Sequence, residues 1–362
     1  MRSQIVAIGS TTRRNRIGRA FSLWMTARAA GLEFRYVGVD DGPLWEPLRD
    51  HEEFRSDVRV AMDIADLEGQ VAGEIGPNTA LMVCKPRPEL LSLGRRLARS
   101  APVTVDIDDP ELEVGWGATR LRSRAALVAR YGPSRFRFRW AKRAVRQMQV
   151  ITSNPVLQDL YGGEIVPHVR DVVPRSRLHH RGVAPFIVGF VGTPRPYKGI
   201  NELRTAMAQL ACERPVRLRI TAPPPNDARP WEDWVGATSI DEGRRLLECC
   251  DAVAVVSHAG SWGDQQVPVK LIDAMHAAVP AVITPRPPLL WAAGGTSVVV
   301  ADGRTSEITT ALRVIADDVG FANALGAASQ QRAREMFTPK AAAPHLLAAL
   351  DRADSHWQHA RD

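Results

Sequence analysis

The chain has 362 residues, of which 45% are hydrophobic and 24% charged, and its formal net charge at pH 7 is +7. That length suggests about two domains, and the composition excludes collagen, long disorder and coiled coil. No run of about 18 uncharged apolar residues occurs, and the opening Met-Arg-Ser-Gln-Ile-Val-Ala-Ile-Gly-Ser lacks the build of a signal peptide, so a cytoplasmic protein is expected.

Residues 4–9 form an apolar run ending in Gly-Ser, followed by a polar stretch to Ile17 and a helical pattern over 18–30. Residues 32–39 read as a second strand, 79–84 as another, 88–98 as a helix and 102–107 as the next strand. Such alternation predicts a parallel sheet covered on both faces. Residues 173–185 lose apolar periodicity and are placed as a linker between a first domain, 1–172, and a second, 186–340. The second domain repeats the first: strand 186–191, helix 199–210, strand 216–221, helix 240–250, strand 252–257, helix 268–278 and strand 281–284. A tail, 341–362, holds an Ala/Leu-rich helix over about 341–353, for which packing back on the N-terminal domain is one destination. The expected class is α/β: two doubly wound Rossmann-like domains facing each other across a cleft, where the carboxyl ends of parallel strands gather ligands. Cys84, Cys212, Cys249 and Cys250 show no metal-site or disulfide spacing and read as buried apolar residues.

Val188 to Gly199 is an apolar strand and a Gly/Pro-rich loop, with Gly192, Thr193, Arg195 and Lys198 ahead of a helix. Glycines allow close backbone approach, the helix amino end offers N–H groups and two cations meet phosphate charge. Solvated loop charges are the plain alternative. Neither a P-loop nor a dinucleotide fingerprint occurs, which removes the usual support for nucleotide hydrolysis and nicotinamide chemistry. A second segment, Gln265-Gln266-Val267-Pro268-Val-Lys270-Leu-Ile-Asp273, starts a helix at proline and sets Lys270 and Asp273 on one side of it. There Asp273 is suited to accept hydrogen bonds from vicinal hydroxyls such as a ribose's; an exposed Lys/Asp pair is the alternative.

Together these segments resemble the carboxyl half of family 4 retaining GT-B glycosyltransferases, and Lys85-Pro-Arg-Pro, Val105 to Glu111, Ser153-Asn154 and Tyr161 to Asp171 look like segments of bacterial members, in the right order from about residue 3 to 340. The resemblance implies a retaining transfer of a sugar from a nucleotide diphosphate donor to an acceptor held by the first domain. It implies Lys198 and Arg195 on the donor diphosphate, Asp273 on the ribose and Asp108 near the donor sugar and acceptor. The sequence departs from the pattern at Gln265, which replaces the first of two acids, at Asp273, which replaces a glutamate, and at Thr193, where many relatives carry arginine. A nucleotide-sugar epimerase of the same fold, and a non-catalytic basic protein that binds a membrane or nucleic-acid surface, are the alternative readings.

Asp106-Ile-Asp108-Asp109 also spells a DxD pattern, which in the other large glycosyltransferase fold ligates a divalent metal. Because the phosphate cations lie in the other domain, no metal and no cofactor are expected. Arg13, Arg14, Arg16 and Arg19 are placed in the first loop, facing a phosphorylated ligand or solvent, and Asp109, His168 and Arg170 are further cleft candidates, with hinge packing as the alternative for the last two. Between Glu113 and Asp159 no acid occurs, while ten cations fall from Arg120 to Arg146 with Phe136, Phe138 and Trp140 among them. This stretch suits an anionic membrane face, with inward packing of the aromatics as the alternative; no nucleic-acid-binding module accompanies it. The expected location is therefore cytoplasmic, with a peripheral contact on the inner face of the membrane.

Overall fold

Short strands that are apolar at nearly every position must be covered on both faces, and here they build two wholly parallel sheets. The computed structural model describes residues 2–13, 15–40, 42–113, 134–172, 182–300 and 303–361. Its contacts divide the chain into unit 1, Met1–Val169 with Pro339–Asp362, and unit 2, Arg170–Thr338. The units change over at 169/170 and 338/339. The linker residues 173–181, together with Arg14, Arg120, Arg122, Arg124 and Arg130, lie outside the described residues.

Unit 1 holds β1 (Gln4–Gly9), β2 (Glu33–Val39), β3 (Val58–Ala61), β4 (Thr79–Cys84), β5 (Val103–Ile107), β6 (Gln149–Thr152) and β7 (Glu164–Ile165), in the order β3-β2-β1-β4-β5-β6-β7. On one face Val6, Ile8, Val37, Leu81, Val83 and Val105 pack with Leu67 and Val71 of α2 (Ile64–Glu74), Leu90 and Leu91 of α3 (Pro88–Leu97) and Ala141 and Val145 of α4 (Ser134–Val145). The C-terminal helix, Pro339–His359, packs against α1 (Ile17–Ala29), β5 and β6. It is longer than the expected 341–353, and its far end is tied down by an ion pair from Arg2 to Asp354 at 2.6 Å and by Trp357, whose Nε1–H donates to the Ala98 carbonyl at 2.6 Å. The strand order reverses at β1/β4, so the segments after these two strands, Ser10–Arg16 and Lys85–Arg87, leave the sheet at its switch point.

Unit 2 holds β8 (Phe186–Phe190), β9 (Val216–Ile220), β10 (Glu232–Trp234), β11 (Ala252–Val255), β12 (Ala281–Ile283) and β13 (Val298–Val299), in the order β10-β9-β8-β11-β12-β13. Alternate side chains feed two cores. Val188, Phe190, Leu218 and Ala254 meet Leu203, Met207 and Leu210 of α5 (Ile200–Ala211), whereas Val253, Val255 and Ile283 meet Leu271, Ile272 and Met275 of α7 (Val269–His276), the helix that follows the short α6 (Ser261–Gln265). Here the order reverses at β8/β11, so the loops 191–199 and 256–268 emerge side by side at the carboxyl end of the sheet. Among the described residues no helix is long and apolar enough to cross a membrane.

Candidate functional site

The loop after β8 ends in a 3-10 turn, Pro196–Lys198, and then in Gly199, whose φ of +59 is left-handed. A Cβ at position 199 would lie 2.7 Å from the Val256 carbonyl oxygen, so this turn can press against the end of β11 only with glycine there. The turn is fixed by further contacts. The Gly192 amide donates to Thr221 Oγ1 at 2.7 Å, the His258 amide donates to the Tyr197 carbonyl at 2.8 Å, and Lys198 Nζ donates to the Thr193 carbonyl at 3.0 Å. Tyr197 also stacks on Trp262 of α6, with centroids 6.0 Å apart and an interplanar angle of 15°. Thr193 and Arg195 are exposed at the loop surface, and Gln265 and Gln266 are half-buried at the end of α6.

Val267 is buried and Pro268 caps α7, whose extended φ/ψ sends the chain into the helix. Lys270, in the first turn, is buried, and its Nζ sits 3.7 Å from the centroid of Phe190 at the end of β8. That ammonium has no hydrogen-bond partner among the described residues. Burial, and then the neighbouring charge of Lys198, push it well below the ordinary lysine range. One turn on, Asp273 is buried and its Oδ1 accepts from Arg170 Nε at 2.9 Å. Unit 2 thus brings together Gly192, Thr193, Lys198, Lys270 and Asp273, all drawn from the two segments that the sequence singles out.

In unit 1, Asp106 and Asp108 follow one another on and after β5 but serve different partners. Arg19 donates from Nε and Nη2 to Asp106 Oδ1 at 3.0 and 2.8 Å, and from Nη2 to the Val166 carbonyl. Arg19 belongs to α1 rather than to the first loop, and its side chain is fully buried, which corrects its placement as a loop or cleft cation. Desolvation pushes the Asp106 carboxyl up to about 6 against the pull of Arg19. Asp108 Oδ1 lies 2.8 Å from Lys85 Nζ, Oδ2 lies 3.6 Å from His168 Nε2, and Asp109 shares the same lysine. Burial opposes the Lys85 charge, but Asp108, Asp109 and Glu111 overcome it and hold the ammonium well above its ordinary value. Arg16 Nε lies 3.3 Å from Glu111 Oε1, which adds it to this carboxyl-edge cluster.

Lys85 opens a segment noted in the sequence, Lys85-Pro-Arg-Pro, but reading by residue type gives it no role in the cluster. Its φ of +60 is a strained choice for a residue with a side chain, and it is a cation placed directly after a fully buried strand. Arg170, a cleft candidate in the sequence, lies in unit 2 with its guanidinium on Asp273. Among the described residues no group of acids, histidines and cysteines has the geometry of a metal site.

The family model for glycosyl transferases group 1 matches residues 185–318. Among solved structures, HepE of Anabaena, determined with UDP and glucose, has a TM-score of 0.71 at 16% identity, covering 97% of this chain and 100% of its own. Sucrose-phosphate synthase of Thermosynechococcus elongatus has a TM-score of 0.68 at 14% identity, over 98% of this chain and 100% of its own. A glycosyltransferase of Rickettsia africae has a TM-score of 0.68 at 10% identity, over 97% and 98%. No curated protein matches the chain. Residues 185–318 thus carry the sequence pattern of the glycosyl transferases group 1, and the chain as a whole is built on the GT-B fold of Rossmann-like domains.

Proposed function

We propose that the protein is a retaining glycosyltransferase that moves a sugar from a nucleotide diphosphate donor to an acceptor without a metal. The observation that carries this reading is the buried Lys270 ammonium, which lacks a hydrogen-bond partner among the described residues and stands beside Lys198 at the amino end of α7. A desolvated cation in such a place is an unfavourable arrangement for the free protein, and a diphosphate is the ligand that relieves it. In this reading Lys198, Lys270 and the first-turn amides of α7 hold the two phosphates, with Arg195 reaching in from the loop. Asp273 binds the ribose, and Gln265 and Gln266 lie toward the sugar.

As the bond from the anomeric carbon to the phosphate oxygen breaks, negative charge grows on the leaving diphosphate. Two buried or half-buried cations and a helix amino end stabilise that charge in surroundings of low dielectric, which is the role a metal would otherwise fill. Each DxD carboxylate is already engaged by a cation of unit 1, Asp106 by Arg19 and Asp108 by Lys85, which favours the metal-free reading. We assign Asp108, Asp109, Arg16 and His168 to the acceptor side. We assign the exposed Arg137, Arg139 and Arg143 of α4, with Arg146 just beyond it, to contact with an anionic membrane.

The test is turnover: nucleotide release from UDP-, GDP-, ADP- and dTDP-sugars, measured in EDTA. One donor class should react, and Lys198→Ala should slow it by about two to three decades. Release that requires added metal removes the metal-free mechanism, and an unchanged rate in Lys198→Ala removes that residue from it.

A further inference from the structure

Asp273 does not stand alone on α7. Arg170 Nε donates to its Oδ1 at 2.9 Å, and the two side chains are only 8% and 10% exposed. The arginine is itself held, because its own amide donates to the Phe337 carbonyl at 2.9 Å. The same carbonyl lies 3.1 Å from His276 Nε2, and His276 is one turn beyond Asp273 on α7. Arg170 is therefore joined to this helix at two points, directly through Asp273 and through Phe337 to His276. Lys270, Asp273 and His276 recur every three residues, so the ion pair shares a helix face with the partnerless ammonium.

We propose that Arg170 is the positioning residue for nucleotide recognition: it locks the Asp273 carboxylate through one oxygen so that the other is presented to the vicinal hydroxyls of a ribose. This rests on the donor-site reading above. A buried carboxylate without a partner is costly and is left to rotate, which spoils a two-point contact with a diol. A charge-assisted bond from Arg170, whose main-chain amide is itself held by the Phe337 carbonyl, keeps the carboxylate in one orientation. It also cancels the Asp273 charge, which leaves Lys198 and Lys270 as the net positive charge facing the diphosphate.

The experiment compares the affinity of the full-length protein for the nucleoside diphosphate that binds best with its affinity for the 2′-deoxy counterpart, by calorimetry, in wild type, Arg170→Ala, Arg170→Lys and Asp273→Asn. Wild type should prefer the ribonucleotide by about tenfold or more, Arg170→Ala and Asp273→Asn should bring the ratio close to one, and Arg170→Lys should restore part of it. A ratio unchanged in Arg170→Ala, or an equal loss of affinity for both nucleotides, overturns the proposal, as does a wild type that binds without preferring ribose. If Arg170→Ala fails to fold, Arg170→Lys and Arg170→Gln decide: the ratio must fall in the glutamine variant and be partly kept in the lysine variant. Failure of wild type to bind any nucleoside diphosphate is a different result, and it defeats the donor-site reading itself.

Discussion

Holding an ammonium out of water with no hydrogen-bond acceptor works against folding, and among the described residues Lys270 does this next to another cation, Lys198. Lys270→Met keeps the length and apolar stem and removes the charge. It should raise unfolding stability by about 1–3 kcal/mol while weakening diphosphate binding. Thermal unfolding and nucleotide titration of the same variant check both signs, and a variant that is less stable contradicts the reading of Lys270 as a charge waiting for a ligand. The pH dependence has a definite sign too. Because burial and Lys198 lower the folded-state pKa, the unfolded chain holds more protons than the folded one between that value and the ordinary lysine value, so this group's contribution to stability rises with pH across that window. An anion bound beside Lys270 raises its pKa again. Between the free and bound values binding takes up a proton, so affinity falls as pH rises through that window.

The apolar face of α4 and its basic face do separate jobs. Ala141, Ala144 and Val145 are buried, and Phe138 and Trp140 pack against the core of unit 1, with the Arg95 guanidinium 5.8 Å from the Trp140 ring centroid. For these two aromatics the inward alternative holds, and what remains at the surface is charge: Arg137, Arg139 and Arg143 on the helix and Arg146 after it. A membrane contact by this helix is thus electrostatic, worth up to about 1 kcal/mol per arginine and strongly screened by salt. Replacing Arg137, Arg139 and Arg143 by glutamate should abolish sedimentation with phosphatidylglycerol vesicles at low salt while leaving turnover on a soluble acceptor unchanged. Binding that survives the replacement would deny α4 that role. The central strands β1, β4, β5, β8 and β11 were legible from sequence because burial on both faces makes their residues almost uniformly apolar. The edge strands β10 and β13 have three and two residues, too few to show a period, and β3 alternates without a long apolar run.

Both sheets place their reversal of strand order where chemistry-bearing loops emerge, and this follows from topology that the alternation of strands and helices already implies. Sequence reading therefore singled out the two segments proposed to hold the donor, because each is local: a strand, a turn and a helix start within about a dozen residues. It did not find what pairs across long separations. Arg170 and Asp273 are 103 residues apart, Arg19 and Asp106 are 87 apart, and no periodicity records either contact. The C-terminal helix packs back on unit 1, one of the destinations expected for it. It covers α1 in unit 1 after the chain has traversed the whole of unit 2, and only the folded structure shows that the ends of the sequence meet through Arg2 and Asp354. All the residues assigned to the donor, Lys198, Lys270, Asp273 and the Arg170 that orients it, lie in unit 2, the unit that contains the matched segment 185–318. The most direct measurement is calorimetric titration of the full-length protein with UDP, GDP, ADP and dTDP in EDTA, in wild type and Lys270→Met. Binding of one nucleotide without metal, weakened in Lys270→Met, is the result predicted; binding of none of the four, or binding only when a divalent metal is restored, would contradict it.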